Sequence, residues 1–335
     1  WQAFVLWSGA GVTEYLPASA SGPLLVTQPA LNSPPSEAAN AYAICIQAGA
    51  ILAVLGVYWK HVMEIVAGWL GKVGIGKGDE EGFRLGVCII AAFIPAAVLG
   101  LLFDDKIEEK LFNLTTIVIA WFVGGVAILA TVYYRRRRKD VQGAGKSLAQ
   151  LTWKLAVIIG FIQCIAMCPG TSRSLVTIVG GVIVGLSLSA AVEFSFLLGV
   201  LTLCAATVYK AKDAGPLMVA EYGWGPMLVG SFAAWISAVI AVKWMVSSLQ
   251  KHSMAVFGYY RIALAIIVGG AMFMGFSSMG RDESMVEYML KMLISLAALT
   301  FTSIGSVLLF FFPDPVIDLV SEIGNEKIRR KYWLY

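Results

Sequence analysis

Hydrophobic positions along this chain arrive in long runs rather than in alternation, and the runs set the architecture. Apolar stretches at 38–59, 86–103, 114–134, 190–209, 226–247, 257–276 and 289–312 read as transmembrane helices, because roughly 20 apolar residues at about 1.5 Å each cross a hydrocarbon core. Two more apolar stretches, 3–29 and 155–186, are broken in the middle. The first carries Pro17 within TEYLPASASGP, and the second carries Pro169 and Gly170 within CPGTSRS. Proline removes a backbone donor and clashes with the preceding turn, and glycine weakens a helix. Broken backbone at membrane depth survives only when buried in protein or lining a polar cavity. Both segments are therefore expected to form re-entrant helical hairpins.

The halves match each other in order. Pro17 and its serines correspond to Pro169 with Thr171, Ser172 and Ser174; Gly49 corresponds to Gly199; FVGGVAIL at 122–129 corresponds to IVGGAMFM at 267–274, at an offset that stays near 145 to 152 residues. Each half then holds one re-entrant hairpin and three spans. Three is odd, so the second half inserts upside down relative to the first, an inverted-topology repeat of the kind that places polar sites near the midplane. The expected layout is a first repeat over 1–134, a basic linker over 135–154, a second repeat over 155–276, and an extra C-terminal transmembrane helix with its tail over 277–335. The fold class is an all-α polytopic membrane protein.

Composition agrees. Hydrophobic residues make up 59% of the 335 and charged residues only 14%, against about 25% charged in soluble domains. The formal charge of +4 is concentrated in Arg135–Lys139 and in Lys327, Arg329, Arg330 and Lys331. Both blocks follow apolar runs and read as cytoplasmic anchors rather than nucleic-acid contacts. Placing 135–139 in the cytoplasm puts the 60–85 loop there too, sends 30–37, 104–113, 210–225 and 277–288 outward, and returns the C-terminal tail to the cytoplasm. The cysteines Cys45, Cys88, Cys164, Cys168 and Cys204 lie in apolar sequence without metal-ligand spacing to His61 or His252, and read as buried thiols.

Chemistry concentrates in the interrupted segments. Glu14 is an ionisable group inside an apolar run, costly there and a functional candidate for that reason, or else a structural carboxylate that caps its hairpin or pairs with an arginine. Arg173 offers a rigid fork of donors suited to phosphate oxygens. Thr171, Ser172, Ser174 and Thr177 add hydroxyls around it, and Gly170 lets the backbone turn its amides toward a ligand. A broken helix with free N–H groups beside an arginine is an anion site. Ser19 and Ser21 either face the same anion or satisfy their own hairpin. Glu193 and Arg261 are further charges inside apolar spans, either members of the site or a mutual structural pair, and Lys243 snorkels to the surface.

The stretches GVTEYLP with SASG at 11–22, IQAGAILAV at 46–54, FIQCIAMCPGTSRSLVT at 161–177 and AAVEFSFLL at 190–198 resemble the undecaprenyl-pyrophosphate phosphatases of the bacitracin-resistance type. The resemblance spans roughly residues 1–276. It implies inverted repeats, an outward-facing site in the plasma membrane, a polyprenyl diphosphate lipid as substrate, a divalent cation (Mg or Ca) and a homodimer. By position it assigns Glu14 as base or metal ligand and Ser172, Arg173, Ser174 and Thr177 to the phosphate-binding motif. Ser19 and Ser21 match hydroxyl positions, and Gln163 and Glu193 match with less defined roles. Three polar positions of the family's first motif are replaced by Ala10, Ala20 and Pro23. Three readings follow: a lipid-diphosphate phosphatase, an impaired homologue that binds or moves a polyprenyl phosphate, or a structural subunit docking through helix 289–312.

Overall fold

Most of the apolar runs fold here as helices that outlast the spans expected of them. The structure is a computed structural model that describes Glu14 and Tyr15, residues 37–137, 145–251 and 254–278. The rest of the first interrupted segment, with Ser19 and Ser21, the extra helix at 289–312 and the basic tail lie outside the described residues. The helices are α1 Glu37–Val57, α2 Trp59–Lys72, α3 Glu80–Leu111, α4 Leu114–Arg137, α5 Trp153–Gln163, α6 Arg173–Ile183, α7 Leu188–Tyr222, α8 Trp224–Lys251 and α9 Ala255–Ser278. No strand forms among the described residues, whose one isolated backbone bridge joins Lys146 to Leu186.

Segments Glu80–Phe103, Leu114–Arg135, Leu188–Tyr209 and Met227–Val246 are each long and apolar enough to cross a membrane, and the bent pair α1–α2 would make a fifth. The chain is thus an all-helical, multi-pass membrane protein. This count is below the six spans expected over the same residues for two reasons. The helix that starts at Glu37 stops at Val57 and turns by 83° into α2, and the described apolar part of α9 ends at Gly270. Large apolar side chains such as Leu101 and Phe273, 68% and 76% exposed, point away from the protein, where hydrocarbon rather than water is their natural solvent.

Three expected loops are largely helical. The 60–85 loop contains α2, whose apolar positions Val62, Ile65, Val66 and Trp69 recur at helical spacing, a pattern too short and too mixed to look like a span. Lys60 and Glu64 pair one turn apart at 3.8 Å on its surface. Asp79 then starts α3 by accepting from the Gly82 amide at 2.9 Å. The 104–113 loop shrinks because α3 runs on through DDKIEEK to Leu111, where two Lys and two Glu favour helix whether or not lipid surrounds them. Likewise α7 continues past its apolar part to Tyr222, one residue short of α8.

The segment 155–186 consists of α5, a single 3-10 turn Cys164–Met167, a tight turn and α6. Each helix has 11 residues, about 16 Å, half the thickness of a bilayer core. Their open end is closed by Lys146, whose N–H donates to Gly185 at 2.8 Å and whose carbonyl accepts from Ser187 N–H at 3.0 Å.

Helix α1 packs against α7 and α8, and α4 against α9. Two of these crossings are so close that only glycine fits. A Cβ on Gly49 would stand 2.0 Å from the Ser231 carbonyl of α8, and one on Gly125 would stand 2.8 Å from the Gly258 carbonyl of α9. Small residues at such crossings let backbones approach where lipid gives no hydrophobic drive for helix association. The main core centres on Phe194 and Phe196, both 0% exposed, and a second cluster of Ile117, Trp121, Leu264 and Val268 lies between α4 and α9.

Candidate functional site

The turn before α6 builds the site from the backbone outward. Gly170 has φ +84°, and a Cβ there would meet the Ile117 Cα and carbonyl oxygen of α4 at 2.9 Å, so conformation and space both demand glycine. Thr171 N–H donates to the Cys168 carbonyl at 3.1 Å, closing the turn. Ser172 is the N-cap of α6, its hydroxyl accepting from Leu175 N–H at 3.3 Å. The Ser172 and Ser174 hydroxyls share a hydrogen bond of 2.8 Å. Early amides of a helix lack intrahelical acceptors, so the residue placed there, Arg173, sits where backbone donors and the positive end of the helix dipole coincide.

Arg173 is clamped from two sides. Its Nη2 donates to Glu14 Oε1 at 2.9 Å, and its Nη1 donates to the Gly199 carbonyl at 3.1 Å and to the Thr202 hydroxyl of α7. Both partners are mostly enclosed, with 18% of the Arg173 side chain and 11% of the Glu14 side chain exposed. Glu14 is itself anchored by its neighbour. Tyr15 is buried, donates to the Ala50 carbonyl of α1 at 2.9 Å and stands edge-on to Phe196 at 5.3 Å between centroids.

Other residues singled out from sequence occupy distinct places. Thr177 is buried one turn into α6, donating to the Arg173 carbonyl at 2.8 Å and sharing a 2.6 Å hydrogen bond with Ser195 of α7; it locks α6 to α7 beneath the arginine. Gln163 is buried at the end of α5, its Oε1 without a hydrogen-bond partner among the described residues. Glu193 does not pair with Arg261. Its Oε1 lies 3.1 Å from His61 Nε2, because α2, unforeseen from sequence, returns His61 to the start of α7.

Arg261 instead serves the turn. It is completely buried on α9, and its Nη2 donates to the Gly170 carbonyl at 2.7 Å and to the Ala120 carbonyl of α4 at 3.2 Å. Room for it comes from Gly124, where a Cβ would lie 2.7 Å from the guanidinium. A charge in an apolar span was a visible signal for Arg261, but its target was not. Thr202 and Ser195 gave no signal; each is one hydroxyl in a long apolar helix.

Glu14 is the sole sequence-derived candidate ligand for a divalent cation. Among the described residues no three His, Cys, Asp or Glu side chains come together as a cation would need, and the nearest charge to Glu14 is a guanidinium.

The chain matches the family described as bacitracin resistance protein BacA over residues 8–267. It is 41% identical to undecaprenyl-diphosphatase 1 of Chromobacterium violaceum over 79% of this chain and 93% of that protein. It is 39% identical to undecaprenyl-diphosphatase of Ectopseudomonas mendocina, over 80% of this chain and 92% of the relative. Undecaprenyl-diphosphatase 2 of Rhodospirillum rubrum is 37% identical over 80% and 93%.

Proposed function

The chain belongs to the BacA family of bacitracin resistance proteins, and from that premise we propose that it is an integral-membrane hydrolase of undecaprenyl diphosphate. Water and the lipid diphosphate are consumed; the bond between the bridging oxygen and the terminal phosphorus breaks, releasing inorganic phosphate and the lipid monophosphate. The observation that carries this reading is the Glu14–Arg173 pair at 2.9 Å, which sets a carboxylate and a guanidinium at the capped start of α6.

Each group then has one task. Arriving phosphate oxygens take over the donors of Arg173 that Glu14 now occupies, so binding frees the carboxylate. Arg173 and the first amides of α6 stabilise charge on the phosphoryl oxygens as it develops. The Ser172 and Ser174 hydroxyls orient those oxygens. The freed Glu14 accepts the proton of the attacking water. Thr202 and the Gly199 carbonyl keep the guanidinium aimed, and Arg261 keeps the Gly170 turn in place.

Architecture supports an outer-leaflet site. If the basic block after α4 is cytoplasmic, Leu114 begins α4 on the outer side and Leu111 ends α3 there. Gly170 lies against Ile117, near that outer end, so the turn carrying Arg173 has its access from outside. An inverted repeat is supported by the contacts: α1 with α7 and α4 with α9 are pairs of counterpart helices, as expected beside a pseudo-twofold axis.

Phosphate release from undecaprenyl diphosphate by the purified protein in detergent, with Arg173→Ala as control, tests the proposal. Release that disappears in the control supports it, and absence of release from the unaltered protein overturns it. The names of the relatives favour hydrolysis over simple carriage of the lipid.

A further inference from the structure

Beside the turn runs a groove of about 460 Å³ between the outer end of α3 and the 3-10 turn Cys164–Met167. Its volume is that of a small-ligand site, about 300–1,000 Å³. Phe103 and Ile107 form one wall, Cys164 and Cys168 belong to the other, and Lys106 and Lys110 are its charged members. Lys106 Nζ folds to 5.9 Å from the Phe103 ring centroid, keeping its charge over the apolar wall.

The charges are sorted around the helix. Residues 103, 106, 107 and 110 recur at steps of three and four and so share the groove face of α3. At about 100° per residue, Glu109, which is exposed, falls outside that face.

We infer that this groove receives the lipid diphosphate before hydrolysis. The phosphates rest on Lys106 and Lys110, and the isoprenoid chain lies along the apolar wall. Three observations select this occupant. An apolar trough with two lysines in its lining matches an anionic head on a long hydrocarbon tail. Its far wall includes Cys168, the residue directly before Pro169–Gly170 and the acceptor of the Thr171 amide, so the groove is continuous with the turn that positions Arg173. It also lies at the outer end of α3, where an outer-leaflet lipid would enter. The inference rests on the proposed reaction for its substrate, but its test does not need turnover.

Cys164 and Cys168, both half-buried, report occupancy directly, and the buried Cys88 is an internal control. Full-length protein in detergent is treated with N-ethylmaleimide and each cysteine followed by mass spectrometry. Undecaprenyl monophosphate, which is the product and is not consumed, is expected to slow labelling of Cys168 and Cys164 several-fold. Inorganic phosphate and phosphatidylglycerol should not. In Lys106→Gln/Lys110→Gln the protection should weaken several-fold while labelling without lipid stays as in the parent, which shows an intact fold. The same variant should raise KM for the diphosphate more than it lowers kcat, an effect that fades with added salt. Equal protection by phosphatidylglycerol, or protection indifferent to the lysines, overturns the inference and leaves an ordinary lipid-facing cleft. A parent protein that releases no phosphate yet shows lysine-dependent protection refutes the proposed reaction and keeps the groove. Normal release without protection refutes the groove alone.

Discussion

Arg173 and Glu14 are 159 positions apart in the chain and 2.9 Å apart in space, one from each of the two interrupted segments. A guanidinium already holding a carboxylate, a carbonyl and a hydroxyl is preset in position but not idle. In the proposed reaction the phosphate takes the Nη2 donor that Glu14 holds, the partner whose release is useful.

Glu14→Gln should lower kcat by about 10²–10⁴, the usual worth of a general base. The same change should tighten binding of the lipid monophosphate, because Arg173 no longer has a carboxylate to leave. Steady-state kinetics with product-inhibition constants test both halves. Weaker product binding in this variant would mean that Glu14 contacts the ligand favourably rather than competing with it.

Arg173→Ala should reduce kcat/KM by at least the roughly 10²–10³ seen when one charge-stabilising donor is removed. Arg173→Lys should recover only part, since a single ammonium cannot hold Thr202 and Gly199 while meeting phosphate. Combining Arg173→Ala with Glu14→Gln should cost less than the two effects added. Strict additivity would show that the groups act separately.

Arg261→Ala should destabilise the protein in detergent by about 1–3 kcal/mol, because it removes the buried hydrogen bonds that the guanidinium donates to the Gly170 and Ala120 carbonyls. Thermal unfolding followed by circular dichroism measures this. Arg261→Lys should fall between, keeping charge but not the reach to both oxygens. If Arg261→Ala unfolds like the parent, the guanidinium does not hold the turn.

Gly170→Ala forces a side chain into a left-handed backbone and against the Ile117 backbone at 2.9 Å. The conformational cost is about 1–2 kcal/mol, and the collision adds to it. Phosphate release should fall further than stability does, because moving this turn moves Arg173. A variant with parental activity would show that the turn tolerates displacement.

His61→Gln should leave phosphate release near the parental level. The His61–Glu193 pair is partly exposed, 34% and 22% by side chain, so its loss should cost no more than about 1 kcal/mol. Faster amide exchange confined to α2 is the expected sign. A large loss of turnover would instead place α2 in the reaction.

Sequence reasoning reached the membrane class, the helical elements and the residues of the turn because lipid simplifies the code. Backbone must be satisfied within each helix, so long apolar runs can hardly be anything else, and a Pro-Gly break among serines stands out. It stopped where the signal is a single side chain in a helix of uniform composition. Thr202, Ser195 and the target of Arg261 depend on rotational phase and on which helices meet, neither of which an apolar run records. It also misjudged α2 and the ends of α3 and α7, since charge marks where lipid ends, not where a helix does. With α2 unseen, sequence offers no sign of the His61 partner that Glu193 finds.

The glycine crossings have a consequence for how the lipid and the protein share the work. Where Gly49 meets α8 and Gly125 meets α9, backbone touches backbone with no side chain between to act as a bearing. Sliding or tilting either pair would open gaps that lipid tails cannot fill. The helices of these two crossings therefore form a stiff frame, and the proposed hydrolysis has no need to swing the substrate from one membrane face to the other. In such a frame it is the isoprenoid chain, already fluid, that does the travelling.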